Sequence, residues 1–266
     1  MIIIGENING SRNIIREKLN NRDSAFFCNL AEQQIEGGAE MLDINIGDAD
    51  PEDFSAMQWL IRNIQKNINI PLCLDSPYPK IIKAGLETYN YQYGKPLINS
   101  ITAEKERMEN ILPLVKKHQC SVIALLMDEK GIPAKAQERF LIAQKLIKEM
   151  TDSGISSEDI YLDPLVIPIS TDSNSANVTL ETLQLIHKNY PEIKTVAGMS
   201  NISYGLPKRK NINHAFLPLL LQSNISALIL DTTDKQLMSL LYSSKALLGK
   251  DPYCKDYLQA YRKGKL

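Results

Sequence analysis

Leu72-Cys73-Leu74-Asp75-Ser76 is a short apolar run that stops on a carboxylate beside a small residue. The pattern recurs at Met41-Leu42-Asp43-Ile44-Asn45, Leu97-Ile98-Asn99-Ser100, Ile160-Tyr161-Leu162-Asp163-Pro164 and Val196-Ala197-Gly198-Met199-Ser200-Asn201. Apolar runs this short, separated by helix-length amphipathic stretches, read as strands buried on both faces of a parallel sheet. Further runs near 2–5, 121–127 and 226–230 raise the strand count to eight, with the quoted ones lying near 40–46, 70–75, 96–99, 159–163 and 194–199. Helical periodicity fills the gaps near 24–36, 52–66, 78–88, 103–118, 135–151, 176–189, 211–222 and 234–248.

Eight strand–helix alternations in 266 residues predict a (β/α)8 TIM barrel occupying 1–266 as one domain. A doubly wound open sheet is the alternative. Its usual Gly-x-Gly-x-x-Gly turn after the first strand is not matched by Gly5-Glu6-Asn7-Ile8-Asn9-Gly10. Helix-start signals stand at Thr102-Ala103-Glu104-Lys105 and at Asp50-Pro51-Glu52-Asp53, and Gly37-Gly38 and Gly154 supply stop signals. The longest loop, 164–176, is expected to follow the sixth strand.

Composition narrows the function classes. With 30 basic and 31 acidic residues the net charge is −1, which disfavours a nucleic-acid partner. No apolar run reaches the ~20 residues of a membrane span, and Met1-Ile2-Ile3-Ile4-Gly5 reads as a first strand, not a signal peptide. Cys28, Cys73, Cys120 and Cys254 are too scattered for a Cys-x-x-Cys site, and His118, His187 and His214 have no ligand spacing. A protein-held metal is not expected, and reduced thiols suit the cytoplasm.

In a closed barrel the carboxyl ends of all strands meet at one mouth. The residues there are Glu6, Asn7 and Asn9; Asp43 and Asn45; Asp75; Asn99; Asp128; Asp163; Asn201; and Asp231. The set is rich in amides and carboxylates and poor in nucleophiles, with no Gly-x-Ser-x-Gly elbow, P-loop or strand-end Lys for a Schiff base. An ionised Asp only accepts hydrogen bonds, whereas Asn donates and accepts. Such a lining suits a flat heterocycle edged with amino, N–H and carbonyl groups, such as a pterin. Structural roles compete residue by residue. Asp43 or Asp163 can cap the following helix, Asn45 with Gly47 can shape a turn, and Asp231 before Thr232-Thr233-Asp234 reads as the cap of the last helix. Asp75, Asn99 and Asn201 together are harder to explain as caps.

These motifs, in this order, resemble the methyltetrahydrofolate:corrinoid-protein methyltransferases. Those enzymes share the pterin-binding barrel of dihydropteroate synthases and of the folate module of cobalamin-dependent methionine synthase. The resemblance runs through Gly5-Glu6-Asn7-Ile8-Asn9-Gly10, Leu42-Asp43-Ile44-Asn45-Ile46-Gly47, Ala56-Met57-Gln58-Trp59-Leu60, Leu72-Cys73-Leu74-Asp75-Ser76 and Ile98-Asn99-Ser100. It continues through Gly131-Ile132-Pro133, Tyr161-Leu162-Asp163-Pro164-Leu165, Gly198-Met199-Ser200-Asn201-Ile202-Ser203 and Tyr253-Cys254.

It implies that Asp75, Asn99 and Asp163 grip the pterin edge and that Asn201 bonds near N5 as the residue nearest the chemistry. Glu6, Asn9, Asp43 and Ser200 complete the floor, and Arg209 matches an arginine near the folate. Tetrahydrofolate or its 5-methyl form is then the substrate, with a cobalamin-type corrinoid carried by a separate protein and the enzyme a homodimer. The chain has no Asp-x-His-x-x-Gly motif of a corrinoid domain. Asp128 stands where the corrinoid iron–sulfur members often have Asn. Ser203-Tyr204-Gly205-Leu206-Pro207-Lys208-Arg209 looks closer to methionine synthase and to demethylating systems, which points to methyl transfer from methylcobalamin to tetrahydrofolate. The alternatives are a dihydropteroate synthase, which needs basic residues after the strand-seven Ser where Asn201 stands, and a folate-binding module without catalysis.

Overall fold

Apolar runs become strands at every expected position. In the computed structural model, which describes residues 1–47 and 54–266, the strands are β1 (Ile2–Asn9), β2 (Met41–Asn45), β3 (Leu72–Asp75), β4 (Leu97–Thr102), β5 (Ser121–Leu125), β6 (Ile160–Asp163), β7 (Lys194–Gly198) and β8 (Ala227–Leu230). Each pairs in parallel with its sequence neighbours, and β1 pairs with β8, closing the barrel. Closure excludes the open doubly wound sheet. The helices are α1 (Asn13–Asn20), α2 (Ser24–Gly37), α3 (Ser55–Asn67), α4 (Pro79–Thr88), α5 (Lys105–His118), α6 (Ala136–Asp152), α7 (Ser175–Asn189), α8 (Arg209–Gln222), α9 (Lys235–Leu247) and α10 (Lys255–Arg262).

The period-two alternation of strand side chains sorts the core into two layers. Inside the barrel Ile4, Met41, Cys73, Leu97, Ile123, Tyr161, Val196, Ala227 and Ile229 form one buried cluster. Their chain neighbours, among them Leu42, Leu72, Leu74, Ile98 and Val122, face outward into the layer beneath the helices. Full burial of each Leu or Ile contributes about 1.5–3 kcal/mol. Two residues above the inner cluster on each strand, the same alternation places Glu6, Asp43, Asp75, Asn99, Leu125, Asp163 and Gly198 at the mouth. The polar strand ends therefore follow from strand periodicity.

Two bulges modify that rule. Between Gly5 and Ile8, β1 spends three residues against two on β2, and between Asn99 and Ile101 β4 spends two against one on β5. Each extra residue resets which side chains point inward. On β1 the bulge lets both Glu6 and Asn9 reach the cavity, although strict alternation would oppose them. Gly10 follows because the loops after β1 and β2 touch there. A Cβ on Gly10 would lie 2.3 Å from the Ile46 carbonyl carbon.

Several local expectations need correction. Thr102 does not cap a helix at 103. Its hydroxyl accepts from the Glu104 backbone N–H at 3.3 Å, a two-residue turn that delays α5 to Lys105. Asp231 does not cap the last helix, because Asp234 accepts from the N–H groups of Gln236 and Leu237 and takes that role. The helix expected from 52 is seen from Ser55, and the Asp50-Pro51 cap lies outside the described residues. Gly38 does end α2 in a left-handed conformation, at φ +118°. Helices α1 and α10 leave no periodic signal in the sequence. Each is eight residues long, too short to establish a helical period in sequence.

Candidate active site

A cavity of about 510 Å³ opens at the carboxyl ends of the strands. Glu6, Asn9, Asp43, Asp75, Asn99, Asp163 and Asn201 line it together with Ser76, Ser100, Glu104, Arg107, Leu125, Leu165, Gly198 and Ile229. Parallel register explains the convergence. Asn9, Asn45, Asp75 and Asn99 are partners across β1 to β4, one continuous row around half the mouth.

Within this arc the polar groups organise one another. Asn45 donates from Nδ2 to Asp75 Oδ2 at 2.7 Å and accepts from the Gly47 N–H at 2.6 Å. It therefore makes the turn and also orients Asp75. Asn99 Nδ2 reaches Asp43 Oδ1 at 3.4 Å. Asp43 caps no helix. It is buried at the base of the site, where loss of solvation and the neighbouring Asp75 charge hold its carboxyl well above the usual range. Hydrogen bonds from Cys73 and Asn99 offset only part of that. Burial pushes Asp75 up to about 6, against the pull of Asn45 and the Arg107 guanidinium.

Across the mouth, Asp163 accepts from the Leu165 N–H at 2.7 Å, a turn and not a cap. Burial pushes its carboxyl to about 6, with the Leu165 N–H and Arg139 opposing. Asn201 comes from a 3₁₀ turn, Met199–Ser203, directly after β7. Its exposed side chain passes over Gly198, where a Cβ would stand 3.2 Å from its Nδ2.

Ser200 and Arg209 do not line the cavity and support it from behind. The Ser200 hydroxyl donates to Glu6 Oε1 at 2.7 Å. Arg209 donates to the Ser200 carbonyl at 2.7 Å and to the Ser203 hydroxyl at 3.0 Å, fastening the turn that carries Asn201. Burial raises the Glu6 carboxyl, outweighing the Ser200 hydrogen bond and the charges of Arg12 and Arg209. Asn7 and Asp231 lie outside the cavity and bond to each other at 2.6 Å. Asp128 closes a tight turn with Gly131. Arg107, missed in the sequence, sits inside a helix and carries no strand-end signal.

The cavity thus presents a ring of amides and carboxylates with an apolar wall of Leu125, Leu165 and Ile229. The family profile described as "Pterin binding enzyme" covers residues 5–231. The chain belongs to the pterin binding enzyme family. The methylcorrinoid:tetrahydrofolate methyltransferase of Eubacterium limosum is 32% identical over 269 residues, spanning 100% of this chain and 98% of that protein. The methionine synthase of Mycobacterium tuberculosis is 30% identical over 231 residues, covering 82% of this chain but 19% of that protein. A Yersinia pestis dihydropteroate synthase with a pterine-sulfa conjugate superposes with a TM-score of 0.68 at 15% identity, over 93% of this chain and 94% of that one. The Coxiella burnetii dihydropteroate synthase in complex with pteroic acid gives 0.65 at 16% identity, over 91% and 93%. These solved structures share the fold.

Proposed function

We propose that the protein moves a methyl group between N5 of tetrahydrofolate and the cobalt of a corrinoid carried on a separate protein, running from methylcorrinoid to tetrahydrofolate. What carries the reading is the convergence of Asp75, Asn99, Asp163 and Asn201 on one cavity, in a chain similar along its whole length to the E. limosum methyltransferase. The cavity, about 510 Å³, is of the size that holds a small heterocyclic ligand.

The corrinoid supplies the cobalt that carries methyl as a cation equivalent. The chain's own residues do the rest. Asp75 and Asp163, ionised at neutral pH, accept from the pterin amino and ring N–H groups, and Asn99 serves the mixed edge. Asp43 and Glu6 complete the floor with Asn9. Leu125, Leu165 and Ile229 give the ring an apolar surface. Towards tetrahydrofolate, the N5 lone pair would take the methyl while the electron pair of the broken carbon–cobalt bond stays with the corrinoid, and the N5 proton would pass to solvent water. Asn201 accepts the N5–H through its carbonyl oxygen, which aims the lone pair outward and stabilises the positive charge that develops on N5. Its contribution is positioning and electrostatics.

Ser200 and Arg209 hold that residue in place. On the same reading, residues 1–266 act as one domain, in a cytoplasmic homodimer, with no metal held by the chain itself. No helix among the described residues is long and apolar enough to cross a membrane.

Anaerobic incubation with methylcobalamin and tetrahydrofolate tests the reading, and 5-methyltetrahydrofolate should form as the methylcobalamin spectrum disappears. Pteroate formation from a pterin pyrophosphate and aminobenzoate, or folate binding with no methyl transfer, would overturn it.

A further inference from the structure

Arg107 is the one cavity-lining cation among the described residues, and its hydrogen bonds go to backbone carbonyls. It lies in the first turn of α5. Its Nε and Nη2 both donate to the Ser100 carbonyl, at 2.9 and 2.6 Å, Nη2 also donates to Ser76 O at 3.0 Å, and Nη1 donates to the Pro77 carbonyl. One guanidinium thus fastens the residues just beyond Asp75 on β3 to those just beyond Asn99 on β4. The Ser76 N–H adds a direct link to Asn99 O at 3.1 Å. Carbonyls give the guanidinium no countercharge. The carboxylates that act on it are Asp75 and Glu104.

We propose that Arg107 is a positioning residue for the pterin site, setting the spacing of Asp75 and Asn99 and providing the countercharge of Asp75. The inference rests on the reading that Asp75 grips the pterin. A half-buried guanidinium bound to carbonyls has its geometry fixed by five planar donors, which Lys cannot reproduce. Asp75 is faced by Asn45 and Asp43 from β2, by Cys73 below it on β3 and by Arg107 from α5. Of these only Arg107 is a cation, so it alone opposes burial and the Asp43 carboxyl by charge. Arg139 in α6 makes a parallel arrangement, donating to the carbonyls of Pro133, Pro164 and Leu165 beside Asp163.

The test is the pH dependence of tetrahydrofolate binding, measured by calorimetry on the full chain, with thermal melts to verify folding. Parent affinity falls on the acid side as Asp75 protonates. In Arg107→Gln that fall moves to higher pH by about half a unit or more, the low end of the effect of a nearby opposite charge. In an Asp75→Asn background the same substitution leaves the remaining acid limb, owed to Asp163, where it was. In Arg107→Lys the limb stays in place while affinity at pH 8 falls about tenfold, the scale of one or two lost hydrogen bonds. An unmoved limb in Arg107→Gln overturns the proposal even if affinity drops, because that is the signature of packing alone. Should the Gln variant not fold, unchanged affinity in the Lys variant overturns it. A parent that does not bind tetrahydrofolate instead defeats the pterin reading itself.

Discussion

The two halves of the barrel mouth are built differently. From β1 to β4, Asn9, Asn45, Asp75 and Asn99 stand in one register row above Asp43, cross-linked by hydrogen bonds. From β5 to β8 the corresponding positions are Leu125, Asp163, Gly198 and Ile229, and the decisive polar group, Asn201, arrives from a turn beyond the strand. The first arc is polar and internally hydrogen-bonded, suited to gripping the edge of a ring. The second sets the Asp163 carboxylate among Leu125, Leu165, Gly198 and Ile229, and on the proposed reading it would leave room for a ring face and for a methyl group to pass. On the proposed reading the strand-end groups bind and the turn carrying Asn201 serves the chemistry, and each can be perturbed separately.

The largest effect should come from the gripping arc. Asp75→Ala removes a charged acceptor from an otherwise preserved cavity and should weaken tetrahydrofolate binding by about 2–3 kcal/mol, roughly 30- to 150-fold, the scale of hydrogen bonds to a charged group. Calorimetry reads this directly, and a loss below fivefold would blur the distinction between arcs.

Stability and function should part company at Asp163. Burial raises its carboxyl to about 6, so the folded state favours the protonated form. Its stabilising contribution is complete below the unfolded-state pKa and is lost as pH rises through about 6. Asp163→Asn imitates the neutral form and keeps the acceptor for the Leu165 N–H. At pH 7.5 the ligand-free variant should gain about 1–2 kcal/mol, with the gain vanishing near pH 4. Folate affinity should fall in the same variant. Thermal melts at both pH values check the sign.

The smallest change probes the second arc. A methyl at Gly198 would press on Asn201 Nδ2 from 3.2 Å. Gly198→Ala should therefore slow methyl transfer about three- to tenfold, as expected of a misplacement of a few tenths of an ångström. Folate binding should stay within about twofold, since the gripping arc is untouched. Equal losses in both would contradict the division.

Sequence reading recovers the strand-end residues better than those brought in by bulges, turns and helices. Asp43, Asp75, Asn99 and Asp163 end apolar runs, so strand periodicity alone carries them to the mouth. It fails where the chain departs from regular alternation. The bulge in β1 admits Asn9 to the site together with Glu6, and a bulge leaves no mark in the apolar pattern. Asp231 lies at a strand end like Asp163, yet it is spent on Asn7 and Thr233. Arg107 is invisible because its role depends on which carbonyls α5 overhangs. Ser200 and Arg209 show a further limit. Resemblance identifies them with the site, and geometry adds that they act through Glu6 and the Asn201 turn.

The central claim, that Asn201 serves the reaction more than the grip, is tested most directly by single-turnover methyl transfer from methylcobalamin in Asn201→Ala at saturating tetrahydrofolate. The account predicts a rate about 100- to 1,000-fold below the parent, the scale of one preorganised transition-state group, with folate affinity reduced less than about tenfold. A rate within a few-fold of the parent once folate saturates would contradict it.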